Sequence, residues 1–494
     1  MIYKSNDYSK QYYNCQYLVI GTGAGGSIAG SLLTEKKYDV ILLEEGGYYP
    51  KESFVSSVSK SLSTLYREQG VQPLLGSPSI NIMEARCVGG GPVLNGGLLW
   101  RPMPSVLKKW QRNNGLIGYG YSNLEKHFKT VEHDLNVEIQ DHDLDSNLDS
   151  RYFLKGAERL GWKTVNVPRA VKNCSTLNHC MLGCPTGAKQ STLETYIPWA
   201  LEKGARLFTN CRAIKIEHSG GKAYKVIAQI IDDNNPRKIA IKFDYLVIAG
   251  GAIQTPHLLK RSKISDIAGK GLQFNLSLKT AARFKEPINA AQNTPFTIQI
   301  QEFLNEGMMF NVSQFKPSYL ALSLTNFSNK IVNSVLDNQK NMALYIGFLS
   351  SLSKGHIISK FNKKPFLWYN FNPNDLQRIK LILRRLGELL FQSGAVELYL
   401  PIAIDKPVKS FTELNKVLEN LNANYIDLVT VHIMSSCPMG PDPTNSVVNL
   451  DGKVWGMENI LVCDASILPS SFGESPQETV MAFAHKIIKN HLQQ

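Results

Sequence analysis

The chain has 494 residues, 43% of them hydrophobic and 19% charged. At roughly 150 residues per domain this suggests two or three domains of ordinary globular composition, and no apolar run reaches the ~18 residues of a membrane span. The net charge is +13, but the lysines are scattered and no four basic residues run together. That leaves a lysine-rich composition or a basic docking face, and no nucleic-acid stripe.

The opening residues, "MIYKSNDYSKQYYNCQ", are polar and aromatic and run directly into an apolar stretch. They lack the regions of a secretion signal. A cytoplasmic location with reduced thiols is expected, and eight cysteines without paired spacing agree with it. "YLVI" (17–20) then reads as a buried parallel strand. Gly21, Gly23 and Gly26 follow in a G-x-G-x-x-G pattern, then the helix-like "SIAGSLLTE" and a second buried strand, "YDVILLEE", which contains Glu44. In such a unit Gly21 makes the tight turn, Gly23 admits a pyrophosphate and Gly26 lets helix and strand pack closely. The helix start stabilises phosphate charge, and Glu44 accepts hydrogen bonds from a ribose diol. Strand, glycines, helix, strand and acid in this order predict a dinucleotide site, without separating FAD from NAD.

Further along, "EARCVGGGPVLNGGLLWRP" (84–102) holds Gly89, Gly90, Gly91, Gly96 and Gly97 between apolar residues. This suggests a backbone pressed against something flat or large. "FDYLVIAGGAIQTPHLLKRS" (243–262) predicts a strand, a glycine turn and a helix opening at Thr255-Pro256. "FTIQIQEF" (296–303) alternates as a strand does. "NILVCDAS", a loop and a helix close the chain.

Taken together, "GTGAGG", "LLEEGG", "GGGPVLNGG", "AGGAIQTPHLLKRS", "HIMSSCPMG" and "ENILVCDASILP" resemble the glucose–methanol–choline (GMC) oxidoreductases, FAD-dependent enzymes acting on alcohols. The resemblance covers 15–285 and 428–490, and the middle is not recognisable. It implies an α/β protein: a discontinuous Rossmann-like FAD domain and an α+β substrate domain on an antiparallel sheet. The expected partition is 1–285 for the FAD domain, 286–427 for the substrate domain, and 428–494 completing the FAD domain and active site. The family's histidine base falls on His432. The family's second position, usually Asn or His, is Ser475 here. "SPQE" also reads as a capping box, with Ser475 as N-cap, Pro476 first in the helix and Glu478 the reciprocal acid, so capping and substrate contact both stand. The resemblance further places Asn95 near the flavin ring, Gly90 and Gly250 in the cofactor loops, and Asp464 and Ala465 along the ribityl chain. It sets the Ala213 backbone at the adenine, and Pro476 and Gln477 at the helix start facing the flavin.

The reading that follows is a dehydrogenase acting on CH–OH groups of an alcohol, sugar or sterol-like substrate, passing electrons to an acceptor other than oxygen. A lyase on the same scaffold and a non-catalytic flavoprotein subunit are the rivals. The preference for a non-oxygen acceptor rests on "NCSTLNHCMLGCPTGAK". Cys174, Cys180 and Cys184 could ligate a 3Fe-4S cluster, as related glucose dehydrogenases do on a similar segment. They could also bind zinc with His179, or remain unmetallated thiols. A cluster would imply a cytochrome or quinone acceptor, a peripheral membrane position, and a small partner subunit able to carry the chain to the periplasm.

Overall fold

The computed structural model describes residues 1–140, 144–231, 236–359 and 364–493. Two sheets organise the chain. Among the described residues the smaller has eight strands. Its parallel core runs Arg206–Phe208, Val40–Leu43, Tyr12–Ile20, Arg237–Ile248 and Ile460–Val462. The buried runs read from sequence thus lie side by side: Leu18 beside Ile41 and Leu246, and Leu246 beside Ile460. The strand Arg237–Ile248 is long enough to serve two partners. One edge pairs parallel with Tyr12–Ile20 from Ala240 to Ile248; the other pairs antiparallel with Lys222–Ile230 over Arg237–Lys242 and parallel with Ile460–Val462 over Leu246–Ile248, and Lys222–Ile230 pairs in turn with Cys211–Ser219.

Two helices that are distant in sequence, Ala24–Glu35 and Gln477–His491, pack on each other. Their small residues allow it. A Cβ at Gly25 would lie 1.7 Å from the Cys463 carbonyl oxygen, and one at Gly26 would lie 2.0 Å from that of Gly21. The expected close approach at Gly26 is therefore present, and Gly25 adds a second contact to the C-terminal strand-and-loop.

Among the described residues the larger sheet has eleven strands. It includes Gln72–Ser77, Ile80–Ile82, Leu428–Met434, Lys270–Arg283, Met342–Ser350, Met308–Val312 and Ile298–Ile300 in adjacent order. It draws strands from both sides of the boundaries expected at 285 and 427. Lys270–Arg283 and Leu428–Met434 pair with each other in its interior and lie outside the nucleotide-fold sheet. The alternating stretch "FTIQIQEF" contributes only its centre, Ile298–Ile300, to a strand. On strand Lys270–Arg283, Phe274, Leu276 and Leu278 enter the apolar core together with Ile382, Leu383 and Leu386 of helix Pro373–Gln392. Its alternate residues face the other way, as period two requires. Among the described residues, no helix is long and apolar enough to cross a membrane.

Candidate active site

A cavity of about 660 Å³ runs between the two sheets. Its lining includes Gly21, Gly23, Glu44, Gly90, Asn95, Ala213, Gly250, Asp464, Ala465, His432, Ser475, Pro476 and Gln477. The topology explains this convergence: turns at the C-terminal ends of the parallel strands meet the strand that carries His432.

At the nucleotide end, helix Ala24–Glu35 begins after Gly23 without a side-chain cap, so its first N–H groups are free for an anion. Glu44 ends its strand inside the cavity wall. Oε2 accepts from the Thr22 N–H at 3.0 Å and Thr22 Oγ1 at 2.7 Å, and Oε1 accepts from the Gly46 N–H at 2.9 Å. A carboxylate has about four acceptor positions, so Oε1 keeps one for a further donor. Burial pushes the Glu44 carboxyl upward. The adjacent Glu45 behaves oppositely. Arg67 donates to both of its oxygens, at 2.9 and 3.1 Å, and with Arg212 and Arg86 nearby its carboxyl is held at about 2. Glu45, Arg67, Arg212 and Arg261 all line this end. Sequence reasoning missed this ion network; its only local sign was the doubled acid in "LLEEGG". Arg261 also donates to the Ala213 carbonyl, fixing the backbone expected beside an adenine.

The glycine loop forms the next wall. Gly90 has φ +60° and ψ −148°, and a Cβ there would lie 2.6 Å from Gly23 Cα. Two loops are therefore pinched backbone to backbone. Asn95 Nδ2 donates to Gln477 Oε1, and Asn95 Oδ1 accepts from the Gly97 N–H at 2.9 Å. The loop is thereby tied to the start of the last helix. Beneath it, the buried Lys189 Nζ donates to the carbonyls of Val93, Asn95 and Cys180 at 2.6, 2.8 and 2.6 Å. Desolvation lowers this ammonium to about 8.

Helix Gly251–Arg261 starts earlier than the sequence suggested, after Gly250, so Pro256 is interior. Proline cannot donate to the carbonyl four residues back. Ser436 Oγ donates to that carbonyl, Ala252 O, at 2.5 Å. Asp464 accepts from the Gly251 N–H at 2.9 Å, Thr255 Oγ1 at 2.5 Å and the Ser466 N–H at 2.8 Å. It thus latches the C-terminal segment to this helix while its neighbour Ala465 lines the cavity.

At the opposite end, His432 lies on Leu428–Met434, with its ring stacked on Phe348 at 5.1 Å between centroids. Enclosure lowers the imidazole to about 4, so it is neutral near pH 7. Asn275 sits opposite it in the sheet. The Gly473 N–H donates to Asn275 Oδ1 at 3.0 Å, and Nδ2 donates to the Glu474 carbonyl at 2.8 Å, which fixes the amide orientation. Its Nδ2 then faces His432 Nδ1 at 3.4 Å. That length is beyond the usual 2.7–3.2 Å or so. The tautomer bias is weak, and Nε2 is able to lie free.

The capping-box reading of Ser475 is corrected. The last helix begins at Gln477, with Pro476 as its N-cap and no side-chain cap. Glu478 does not return to the backbone. It is buried beside Glu132 and Arg101, 3.9 Å from the Arg101 guanidinium, and burial and the Glu132 carboxylate push it well upward. Ser475 lines the cavity, and its hydroxyl has no hydrogen bond among the described residues. The uncapped helix start, Pro476 and Gln477, lines the cavity beside it.

The three-cysteine ligand set is also corrected. Among the described residues, no three His, Cys, Asp or Glu side chains gather to hold a metal. Cys180 Sγ accepts from Arg169 at 3.1 Å, whereas Cys184 Sγ contacts Thr186 Oγ1 at 3.4 Å and accepts from the Lys189 N–H at 3.4 Å. Cys180 and Cys184 thus have different local partners. The segment's polar work is done by Lys189, which braces the glycine loop.

The GMC oxidoreductase family profiles match residues 16–277 and 362–484. The second match reaches well into 286–427, the stretch without a recognisable family motif. An uncharacterized GMC-type oxidoreductase of Sinorhizobium fredii is 29% identical over 475 residues, covering 95% of this chain and 93% of its own. A long-chain-alcohol oxidase of Arabidopsis thaliana is 26% identical over 515 residues, covering 96% of this chain and 67% of its own. Among solved structures, pyridoxine 4-oxidase from Mesorbium loti superposes with a TM-score of 0.72 at 14% identity, over 97% of this chain and 100% of that one. Formate oxidase does so at 0.73 and 11%, over 98% and 100%. At these identities the structural likeness speaks for the fold.

Proposed function

The chain belongs to the GMC oxidoreductase family, and from that premise we propose that it oxidises a CH–OH group of a small organic alcohol, with His432 taking the hydroxyl proton. The family's cofactor, FAD, suits the cavity. The uncapped helix start after Gly23 suits a pyrophosphate, the open acceptor position on Glu44 suits a ribose, and the Gly23–Gly90 pinch leaves no room for a Cβ at Gly90. When bound, FAD supplies the two-electron acceptor.

The observation that carries the proposal is continuity: the nucleotide loops and a neutral imidazole line one cavity. A base must be deprotonated at working pH and within reach of the proton it accepts. Enclosure of His432 provides the first condition. Phe348 stacking holds the ring for the second, with the long Asn275 contact beside it. The Ser475 hydroxyl, without a partner among the described residues, donates to the substrate oxygen and orients it. The uncapped start of the last helix presents positive N–H groups to negative charge developing on that side.

The acceptor is a separate matter. The case for a dedicated non-oxygen acceptor rested on the cysteines, and the lack of a metal-holding cluster among the described residues removes that support. Anaerobic addition of a panel of primary and secondary alcohols to FAD-loaded protein tests the reading. Loss of the oxidised flavin absorbance supports it, and that loss should be slowed ~10²–10⁴-fold in His432→Ala. Loaded protein that no alcohol bleaches, or a His432→Ala variant of native speed, refutes it. Parallel turnover with oxygen and with a dye then identifies the acceptor.

A further inference from the structure

On strand Lys270–Arg283, Asn275 pairs with His432 and Ser277 with Val429. Ser277 and Lys279 line the cavity, whereas Phe274, Leu276 and Leu278 are buried in the core behind. Lys279 is four residues along from Asn275, so its backbone lies ~13 Å from the level of His432. Its Nζ stands over the Tyr319 ring, 5.2 Å from the centroid. Among the described residues it has no hydrogen-bond acceptor and no acidic oxygen within 4.0 Å. Asp427 lines the same end, and its carboxyl likewise has no hydrogen-bond donor among the described residues. Desolvation lowers Lys279 to about 8 and raises Asp427, each effect moderated by the other charge. Ser277 Oγ is buried without a partner in the adjoining wall. Ile346 is level with Lys279, and between this end and His432 the strand register sets Phe348 and Val429 on either side of Ser277, so the intervening wall is apolar apart from that hydroxyl.

Ser277 is buried, and Lys279 and Asp427 are half-buried in the cavity wall; polar groups so enclosed normally find partners, and a desolvated charge without one is costly. A lysine alone would call for an anion, but Asp427 cancels that preference, because a carboxylate placed there meets a like charge. A group that accepts from an ammonium and donates to a carboxylate is a neutral hydroxyl. We infer that this protein selects alcohols bearing a second, distal hydroxyl: Lys279 donates to its oxygen, its proton points to Asp427, and an apolar spacer spans the wall to the hydroxyl oxidised at His432. This rests on the alcohol-oxidising reading above and names its substrate class.

The test compares kcat/KM for 1-alkanols, α,ω-diols and ω-hydroxy acids of matched, graded chain length. The expected result is a diol preference over the equal-length alkanol of roughly ten- to hundredfold, expressed in KM, with hydroxy acids poorer than diols. In Lys279→Met and, separately, in Asp427→Asn, the diol-to-alkanol ratio should fall toward one, and Asp427→Asn should improve hydroxy acids. A wild-type enzyme that oxidises alkanols as well as diols overturns the inference and leaves the alcohol reading intact. So does a hydroxy acid that outperforms the diol, or variants that slow every alcohol equally. Protein that oxidises no alcohol sinks the alcohol reading. In that case thermal shift with a ditertiary diol, which has no hydride to lose, still reads binding. A rise in melting temperature absent from both variants supports the site, and no rise in wild type overturns it.

Discussion

Replacing Gly90 with alanine tests the pinch between the glycine loop and the dinucleotide loop. Two costs arise. Gly90 occupies φ +60°, ψ −148°, a region other residues rarely enter, at roughly 1–3 kcal/mol. The new methyl would sit 2.6 Å from Gly23 Cα. This contact is with backbone, so the loops must part, and overpacking of this kind costs about 1–3 kcal/mol. Together these give about 2–6 kcal/mol, concentrated where the first helix offers its free N–H groups. Tenfold in affinity is ~1.4 kcal/mol, so even the lower end predicts a roughly thirtyfold weaker hold on FAD. The assay is fluorescence titration of FAD into apo protein, with Gly161→Ala as control. Gly161 shares a positive φ of +66° but is exposed at a helix end with nothing within 4 Å of its Cβ. The control should lose ~1–2 kcal/mol of stability and keep its FAD affinity. Native FAD affinity in Gly90→Ala, or equal weakening in both variants, would refute the argument.

Three other outcomes are expected. Because His432 is held neutral down to about 4, the acid limb of kcat/KM should fall near that value; a limb at 6.5, the ordinary imidazole range, would mean the titrating group is another. The buried pair His127 and His485, joined Nδ1 to Nδ1 at 2.6 Å, is lowered to about 3 and about 4. The unfolded chain then binds more protons below ~6.5, so stability is complete above that pH and lost as pH falls toward 4, by a few kcal/mol in order of magnitude. Urea melts at pH 7.5 and 5 should differ accordingly, and His127→Leu/His485→Leu should flatten the difference. Finally, Cys174→Ser should leave flavin content and alcohol turnover within about twofold, and purified protein should carry less than one iron per chain. Stoichiometric iron with acid-labile sulfide would restore the cluster reading.

The nucleotide end was legible because its requirements are local. A buried strand, glycines at fixed offsets and a second strand ending in Glu44 describe one contiguous unit. The same holds for Asp464 beside its strand. What was hidden depends on contacts distant in sequence. Ser475 looked like a cap because the tetrapeptide suits one, yet the partner that draws Glu478 away, Glu132, is 346 residues earlier in the chain. The start of helix Gly251–Arg261 was misplaced because proline usually marks a first turn; Ser436, from another segment, supplies the missing donor. The cysteines shared a spacing with metal ligands, but spacing does not fix the direction of side chains. Lys279 and Asp427 gave no sequence signal, since only strand register sets them at the end of a cavity.

The pairing of helix Ala24–Glu35 with helix Gln477–His491 has a consequence for synthesis. The glycine loop ahead of the first helix leaves the ribosome well before the last helix, yet one flank of its pocket belongs to that segment, more than 440 residues later. At ~5–20 residues per second, the half-built nucleotide fold waits on the order of half a minute or longer for its final helix. During that interval its small-residue face lies bare, and flavin loading becomes a post-translational event.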